Sequence, residues 1–281
     1  MKLIHFTDTH LVGHGQKLYG LDPLARLTAC IADINRHHAD AELCVITGDL
    51  THWGECAAYR NLRDCLAELT VPLRLVIGNH DDRTELRLMF PDTAVDEYGF
   101  IQSGMDTEIG RLLFLDTIEE ETHAGRYCLR RLEWLSDALN TAADQPVYLF
   151  MHHPPFPVGL PSLDALGIPP DQAHALNDLL EAHGDVRHIF FGHVHRPISG
   201  QWRGISFSTL RGTNHQISLD FQAIDDVPGS HEPPAYTVVL VDADRIVVHY
   251  HDFLDASPQF SLGSTDWDSW NQERDTRPII A

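Results

Sequence analysis

The sequence predicts an α/β protein with an added antiparallel portion. Through most of the chain, short apolar runs of strand length alternate with amphipathic stretches of helical period, the pattern of parallel strands joined by helices. Two late strand-like runs, 236–241 and 245–250, follow one another with no helix between them, so they should pair antiparallel. The third observation concerns strand ends. Five apolar runs stop at small clusters of aspartate, asparagine and histidine. In open α/β sheets, ligands bind just beyond the carboxyl ends of the strands.

Taken in order, Lys2 to Phe6 is the first strand, followed by Asp8-Thr9-His10. Asp22 before Pro23 reads as a helix N-cap with proline at the first helical position, and Leu24, Leu27, Ile31 and Ile34 share a face of the helix to His37. Residues 43–47 form a second strand ending in Gly48-Asp49, and 55–69 a second helix. The run 73–77 is a third strand, broken by Gly78 before Asn79-His80-Asp81. A short helix is expected over 83–89, then strand-like pieces at 100–103, 106–109 and 111–115. Helices are expected at 129–142 and 171–183, separated by the strand 147–151, which ends in His152-His153, and a proline-rich loop to Pro170. The strand 187–191 ends in Gly192-His193-Val194-His195, and 205–208 is a further strand. From Asp255 onward the composition suggests an extended arm.

Composition narrows the partners. The chain has 281 residues, 43% of them hydrophobic, enough for one large domain or a domain with an appendage. With 41 acidic against 20 basic residues, its net charge is -21, which repels nucleic acid polymers. No apolar run is long enough to span a membrane. MKLIHF enters a strand directly rather than resembling a signal peptide, and the five cysteines show no CxxC pairing. The expectation is a cytoplasmic protein that acts on a small substrate, with local positive charge supplied by metal ions.

The five strand ends carry Asp8 and His10, Asp49, Asn79 and His80, His152, and His193 and His195. Residues i and i+2 of an extended chain point to the same side, so Asp8 with His10 and His193 with His195 are expected to reach one pocket. Imidazole and carboxylate together suit Fe, Mn, Zn or Co. The set is too large for one tetrahedral ion and sufficient for two sharing a carboxylate. Each piece alone is a weak signal; five in order, each after an apolar strand, are not.

The ordered motifs DTH, GD, GNHD, HHPP and GHVH resemble the calcineurin-like metallophosphoesterase superfamily over residues 3 to 215. Lys17-Leu18-Tyr19-Gly20, GNHDD, MHHPP and the TLRGTNHQ of 209–216 resemble its bacterial glycerophosphodiesterase and class III cyclic nucleotide phosphodiesterase branch, and are closest to a glycerophosphodiesterase. The resemblance implies a four-layer α-β-β-α sandwich with two metal ions at the strand ends. It implies Asp8, His10 and His195 on the first ion, Asn79, His152 and His193 on the second, and Asp49 bridging both. His80 would sit near the phosphate, and Asp81 would orient His80. His153 is expected to be structural.

Such a centre suits hydrolysis of an anionic diester, because two cations supply hydroxide near neutral pH and neutralise phosphoryl oxygens. Asn79 would offer an amide to the phosphate and His80 a proton to the leaving oxygen. The loop after Asp49, Leu50-Thr51-His52-Trp53-Gly54, lacks the arginine with which protein phosphatases of the superfamily grip a monoester. This favours small diesters, glycerophosphodiesters first and 3′,5′-cyclic nucleotides second. His52, Trp53 and His215 are candidate substrate contacts, and the proline-rich loop a candidate wall. Arg83 is expected in a surface salt bridge. The alternatives are a broad phosphomonoesterase or nuclease of the same superfamily, or a metal-binding regulatory or scaffold protein. Domain boundaries are set at 1–215 for the catalytic body and 216–281 for strands and an arm that complete the sandwich. That last region is the expected homo-dimer contact or cap, with Trp267 and Trp270 as anchors.

Overall fold

The computed structural model describes residues 1–262 together with 271 and 272. In chain order it runs β1 (Lys2–Phe6), α1 (Pro23–His37), β2 (Leu43–Thr47), α2 (Cys56–Leu66), β3 (Leu73–Val76), α3 (Arg83–Met89), β4 (Ser103–Thr107), β5 (Gly110–Phe114), α4 (Leu129–Ala142) and β6 (Val147–Met151). It continues with α5 (Pro161–Asp164), α6 (Pro170–His183), β7 (Val186–Phe191), β8 (Ser199–Trp202), β9 (Ile205–Ser208), β10 (Gln216–Ile217), β11 (Gly229–Ser230), β12 (Tyr236–Val241) and β13 (Ile246–His251).

Two sheets stack face to face. One has the order β13-β12-β1-β2-β3 and the other β4-β5-β6-β7-β9-β8. β1, β2 and β3 are parallel, as are β5, β6, β7 and β9, while β12, β13, β4 and β8 run antiparallel to their neighbours. Strand alternation assigns the faces. Ile4, Phe6, Cys44 and Ile46 pack toward α1 and α2, whereas Leu3, Leu43 and Val45 meet the second sheet. There Phe114, Phe150 and Phe190 form a stack with centroid spacings of 5.3 and 4.7 Å. Leu149, Ile189 and Phe191 face α4 and α6. The result is the α-β-β-α sandwich, and the parallel strands of both sheets end at one rim.

Asp22 caps α1 as expected, accepting from the Ala25 N–H at 3.0 Å. Several boundaries differ from the sequence expectations. The second helix stops at Leu66, because Glu68 and Leu69 donate to the carbonyls of Cys65 and Leu66 and tighten the last turn. In place of the pieces at 100–103 and 106–109 there is one strand, β4, hairpinned to β5 through a two-residue turn at Glu108-Ile109, after which Gly110 opens β5 with a φ of +126°. The proline-rich loop contains the helical turn α5, and β8 and the β10–β11 ribbon were not anticipated. β12 pairs with β1, so the late strands belong to the first sheet. Trp267 and Trp270 lie outside the described residues.

Candidate active site

Past the strand ends the chain is neither strand nor helix. The β1 and β2 extensions continue together, the Asp8 N–H donating to Gly48 O at 3.1 Å, the His10 N–H to Asp49 O at 2.8 Å and the Leu11 N–H to Leu50 O at 3.1 Å. Asp8, His10, Asp49, His193 and His195 all have positive φ, between 45 and 69°. Left-handed backbone at non-glycine residues costs about 1–2 kcal/mol each. The i, i+2 pairs therefore do share a pocket, but through these turns and not through strand alternation. Gly48 and Gly78 permit the close approach. A Cβ at Gly48 would lie 2.5 Å from His152 Nδ1, and one at Gly78 would strike the Asp49 backbone.

The side chains fall into two groups. In the first, His10 Nε2 lies 3.1 Å from His195 Nε2, which lies 3.3 Å from Asp8 Oδ1. In the second, Asn79 Oδ1 lies 3.0 Å from both His152 Nε2 and His193 Nδ1. Asp49 stands between them, with Oδ2 3.5 Å from His10 Nε2 and Oδ1 3.4 Å from His152 Nε2. The donor atoms of Asp8, His10, Asp49 and His195 all lie within 4.8 Å of one another. Asp8 Oδ2 is buried with no hydrogen-bond partner. A buried carboxylate oxygen without a partner is costly, and a bound cation is one way to satisfy it. Convergent imidazole nitrogens, carboxylates and one amide oxygen fit two first-row cations.

Burial and charge pull the four histidines in different directions, His152 and His195 up and His10 and His193 down. Burial opposes ionisation of Asp49, but the charges of His152 and His80 and the His152 hydrogen bond outweigh it and hold the carboxyl well below its usual range. Asp8 is likewise lowered against burial, by His195. Burial pulls His152 down, yet Asp49 and Asp8 push it up to about 9. Burial depresses His10 and brings His193 to about 3, leaving neutral imidazoles of the kind that bind metal.

The outer nitrogens of three of these rings are also held. His152 Nδ1 meets Thr47 O at 2.8 Å and His195 Nδ1 meets His215 O at 2.8 Å. His10 Nδ1 meets His52 Nδ1 at 3.0 Å. Such partners fix the tautomer and orientation of a ligand histidine.

His80 stands beside these groups. Its N–H donates to Asp49 Oδ1 at 2.9 Å and its Nδ1 lies 2.9 Å from His52 O. Asp81 does not touch the His80 ring. It accepts from the Leu50, Thr51 and Gly78 N–H groups and from Tyr59 Oη, clamping the loop after Asp49. Three backbone donors and a phenol converge on one carboxylate, which explains why it turns away from the imidazole. Arg83 is no surface pair: it forms a bidentate pair with the fully buried Asp116 at 2.8 and 2.9 Å. His153 is adjacent to His152 and His193, but its nitrogens are engaged by Thr117 Oγ1 and His123 O.

A cavity of about 720 Å³ opens over the two groups. His52 and His215 line it; Trp53 is 69% exposed, edge-on to His52 at 4.2 Å, and is not among the lining residues. His123 and Tyr19 also line it, and neither is a contact that the sequence predicts. His123 Nδ1 lies 2.9 Å from Asn79 Nδ2, and no strand or motif precedes it. The Tyr19 ring lies 4.6 Å from His215, and Tyr19, with a φ of 52°, sits in the KLYG turn. That turn was the available signal.

The calcineurin-like phosphoesterase family model matches residues 1–197. The chain belongs to that family. A probable cyclic nucleotide phosphodiesterase of Rhodopseudomonas palustris is 45% identical to this phosphoesterase over 265 residues, covering 93% of this chain and 96% of the relative. The glycerophosphodiester phosphodiesterase GpdQ of Enterobacter lignolyticus is 32% identical over 77% of this chain and 79% of its own. A dimetal phosphatase from Danio rerio shares the fold, with a TM-score of 0.67 at 17% identity, covering 90% of this chain and 96% of the other. The family implies a dinuclear metal centre, and the two groups of ligand atoms are compatible with it.

Proposed function

We propose that this phosphoesterase hydrolyses small phosphodiesters, with Asp8, His10 and His195 holding one cation, Asn79, His152 and His193 the other, and Asp49 both. The observation that carries the reading is Asp49, whose two oxygens face the two groups from between them. Two cations held there lower the pKa of a coordinated water and neutralise phosphoryl oxygens. The chain's own residues supply the rest. The Asn79 amide points its oxygen at His152 and His193, leaving its N–H side toward the cavity and His123. The His80 Nδ1–H donates to the His52 carbonyl, which leaves Nε2 to carry a proton to the leaving alkoxide. No arginine stands in the loop 50–54 to favour a monoester.

Two observations bring 3′,5′-cyclic nucleotides level with the glycerophosphodiesters that the motifs favour. One is the wall of Leu163, Leu166, Ile217 and Val227 facing the histidines, an apolar surface on which a base can lie. The other is the name of the relative at 45% identity. The test is a panel on Mn²⁺-loaded protein, comparing kcat/KM for glycerophosphoethanolamine, cyclic AMP, a phosphomonoester and linear DNA. Diesters should lead the monoester by tenfold or more; a monoester or DNA in the lead overturns the proposal. The five cysteines are free, which supports a reducing cytoplasm; among the described residues no helix is long and apolar enough to cross a membrane. Exposed Leu254, Phe260 and Leu262 support the arm as a contact between two copies. A monomeric mass by light scattering at micromolar concentration would remove that part.

A further inference from the structure

We propose that His52 is a positioning residue for the first metal position, acting through His10, and this rests on the reading of Asp8, His10 and His195 as holders of one ion. The His10 ring has its Nε2 turned inward, 3.1 Å from His195 Nε2 and 3.5 Å from Asp49 Oδ2. Its Nδ1 therefore carries the proton, and the atom receiving it, 3.0 Å away, is His52 Nδ1. His52 must keep its own proton on Nε2. Ligand histidines usually donate to a carboxylate, a carbonyl or water. His152 and His195 follow that pattern with the carbonyls of Thr47 and His215. His10 instead meets an imidazole, an acceptor that brings no negative charge into the pocket.

The His52 ring is built into this place. It stacks on His80 at 4.7 Å and 15° and meets Trp53 edge-on at 4.2 Å. Its backbone N–H donates to Leu11 O at 2.9 Å, and its carbonyl accepts from His80 Nδ1 at 2.9 Å. One residue thus orients His10 with its side chain and His80 with its backbone. A side-chain partner can be exchanged by substitution, whereas a backbone carbonyl cannot.

The experiment is Mn²⁺ titration of chelator-stripped protein by calorimetry, with the visible absorption of the Co²⁺-loaded form as a second readout. His52→Leu should weaken one of two ions by about 10–100-fold and leave the other unchanged. His52→Asn restores an acceptor and should recover most of the loss; His52→Asp adds a charge and should bind that ion more tightly than the wild type. The Co²⁺ bands should shift in the leucine variant and return with asparagine. Thermal melts of the stripped variants check folding. If leucine leaves both affinities within twofold, or if asparagine is no better than leucine, the assignment fails. A wild-type protein that binds two Mn²⁺ but hydrolyses no diester would sink the proposed function and leave His52's role standing. A wild type that binds no Mn²⁺ would sink both.

Discussion

His10, His152, His193 and His195 at the rim differ from His5 and His188, which lie between the sheets. The His188 nitrogens meet Ser206 and Ser208 hydroxyls at 2.7 and 2.9 Å, and its ring lies 4.2 Å from Phe190. His5 meets Thr47 Oγ1 at 2.8 Å and sits edge-on to Phe190. The fold completes these two by itself. At the rim, imidazole nitrogens face each other at 3.1 Å, a buried Asp8 oxygen has no partner, and the backbone is left-handed at five functional residues. His5 and His188 find their partners within the protein; at this rim the polar groups converge on a shared centre suited to cations.

The sharpest way to break the comparison is His193→Gly. Turnover should fall to background and Mn²⁺ stoichiometry from two to one. Metal-free stability should rise by about 1 kcal/mol, because glycine accepts the φ of 69°. Urea melts and metal analysis of the same preparation check both. Falling apo stability would mean that the rim is not strained. Next comes His80→Ala, expected to lower kcat on a diester with an alkoxide leaving group by roughly 10²–10⁴-fold. It should spare bis(p-nitrophenyl) phosphate, whose leaving group needs no proton. Equal losses on both would remove the acid role.

The layers and the clustering of polar residues at the strand ends were legible because each depends on local pattern: apolar runs of strand length, a cap at Asp22, and one polar cluster per strand end. The pairing of β12 with β1, the single strand at Ser103–Thr107 and the β10–β11 ribbon depend on partners distant in sequence. His123 was invisible for the same reason. It lies 44 residues from Asn79, in a loop that only the folded chain brings over the site. Asp81 was misread because its backbone partners at Leu50 and Thr51 are likewise non-local.

On the core side of the comparison, His188→Leu removes a bond to each of two serines. It should cost about 1–3 kcal/mol of stability while leaving kcat of the folded fraction unchanged. A drop in kcat at full folding would connect core to rim.

The smallest effect is a slope. Burial holds His188 down to about 4, against 6.5 in the unfolded chain. Between these values the unfolded state binds the proton and the folded state does not, so stability is fully present above pH 6.5 and is lost as pH falls toward 4. From pH 7 to pH 5 this one residue should remove roughly 2 kcal/mol. Rim histidines and carboxylates titrate too, so the test is a difference: urea melts of chelator-stripped wild type and His188→Gln at both pH values. Glutamine keeps a donor and an acceptor near the serines but cannot take a proton. The variant should lose less stability on acidification than the wild type. If the two slopes coincide, His188 is hydrated or already charged at neutral pH. The core would then resemble the rim, where charge and imidazole meet.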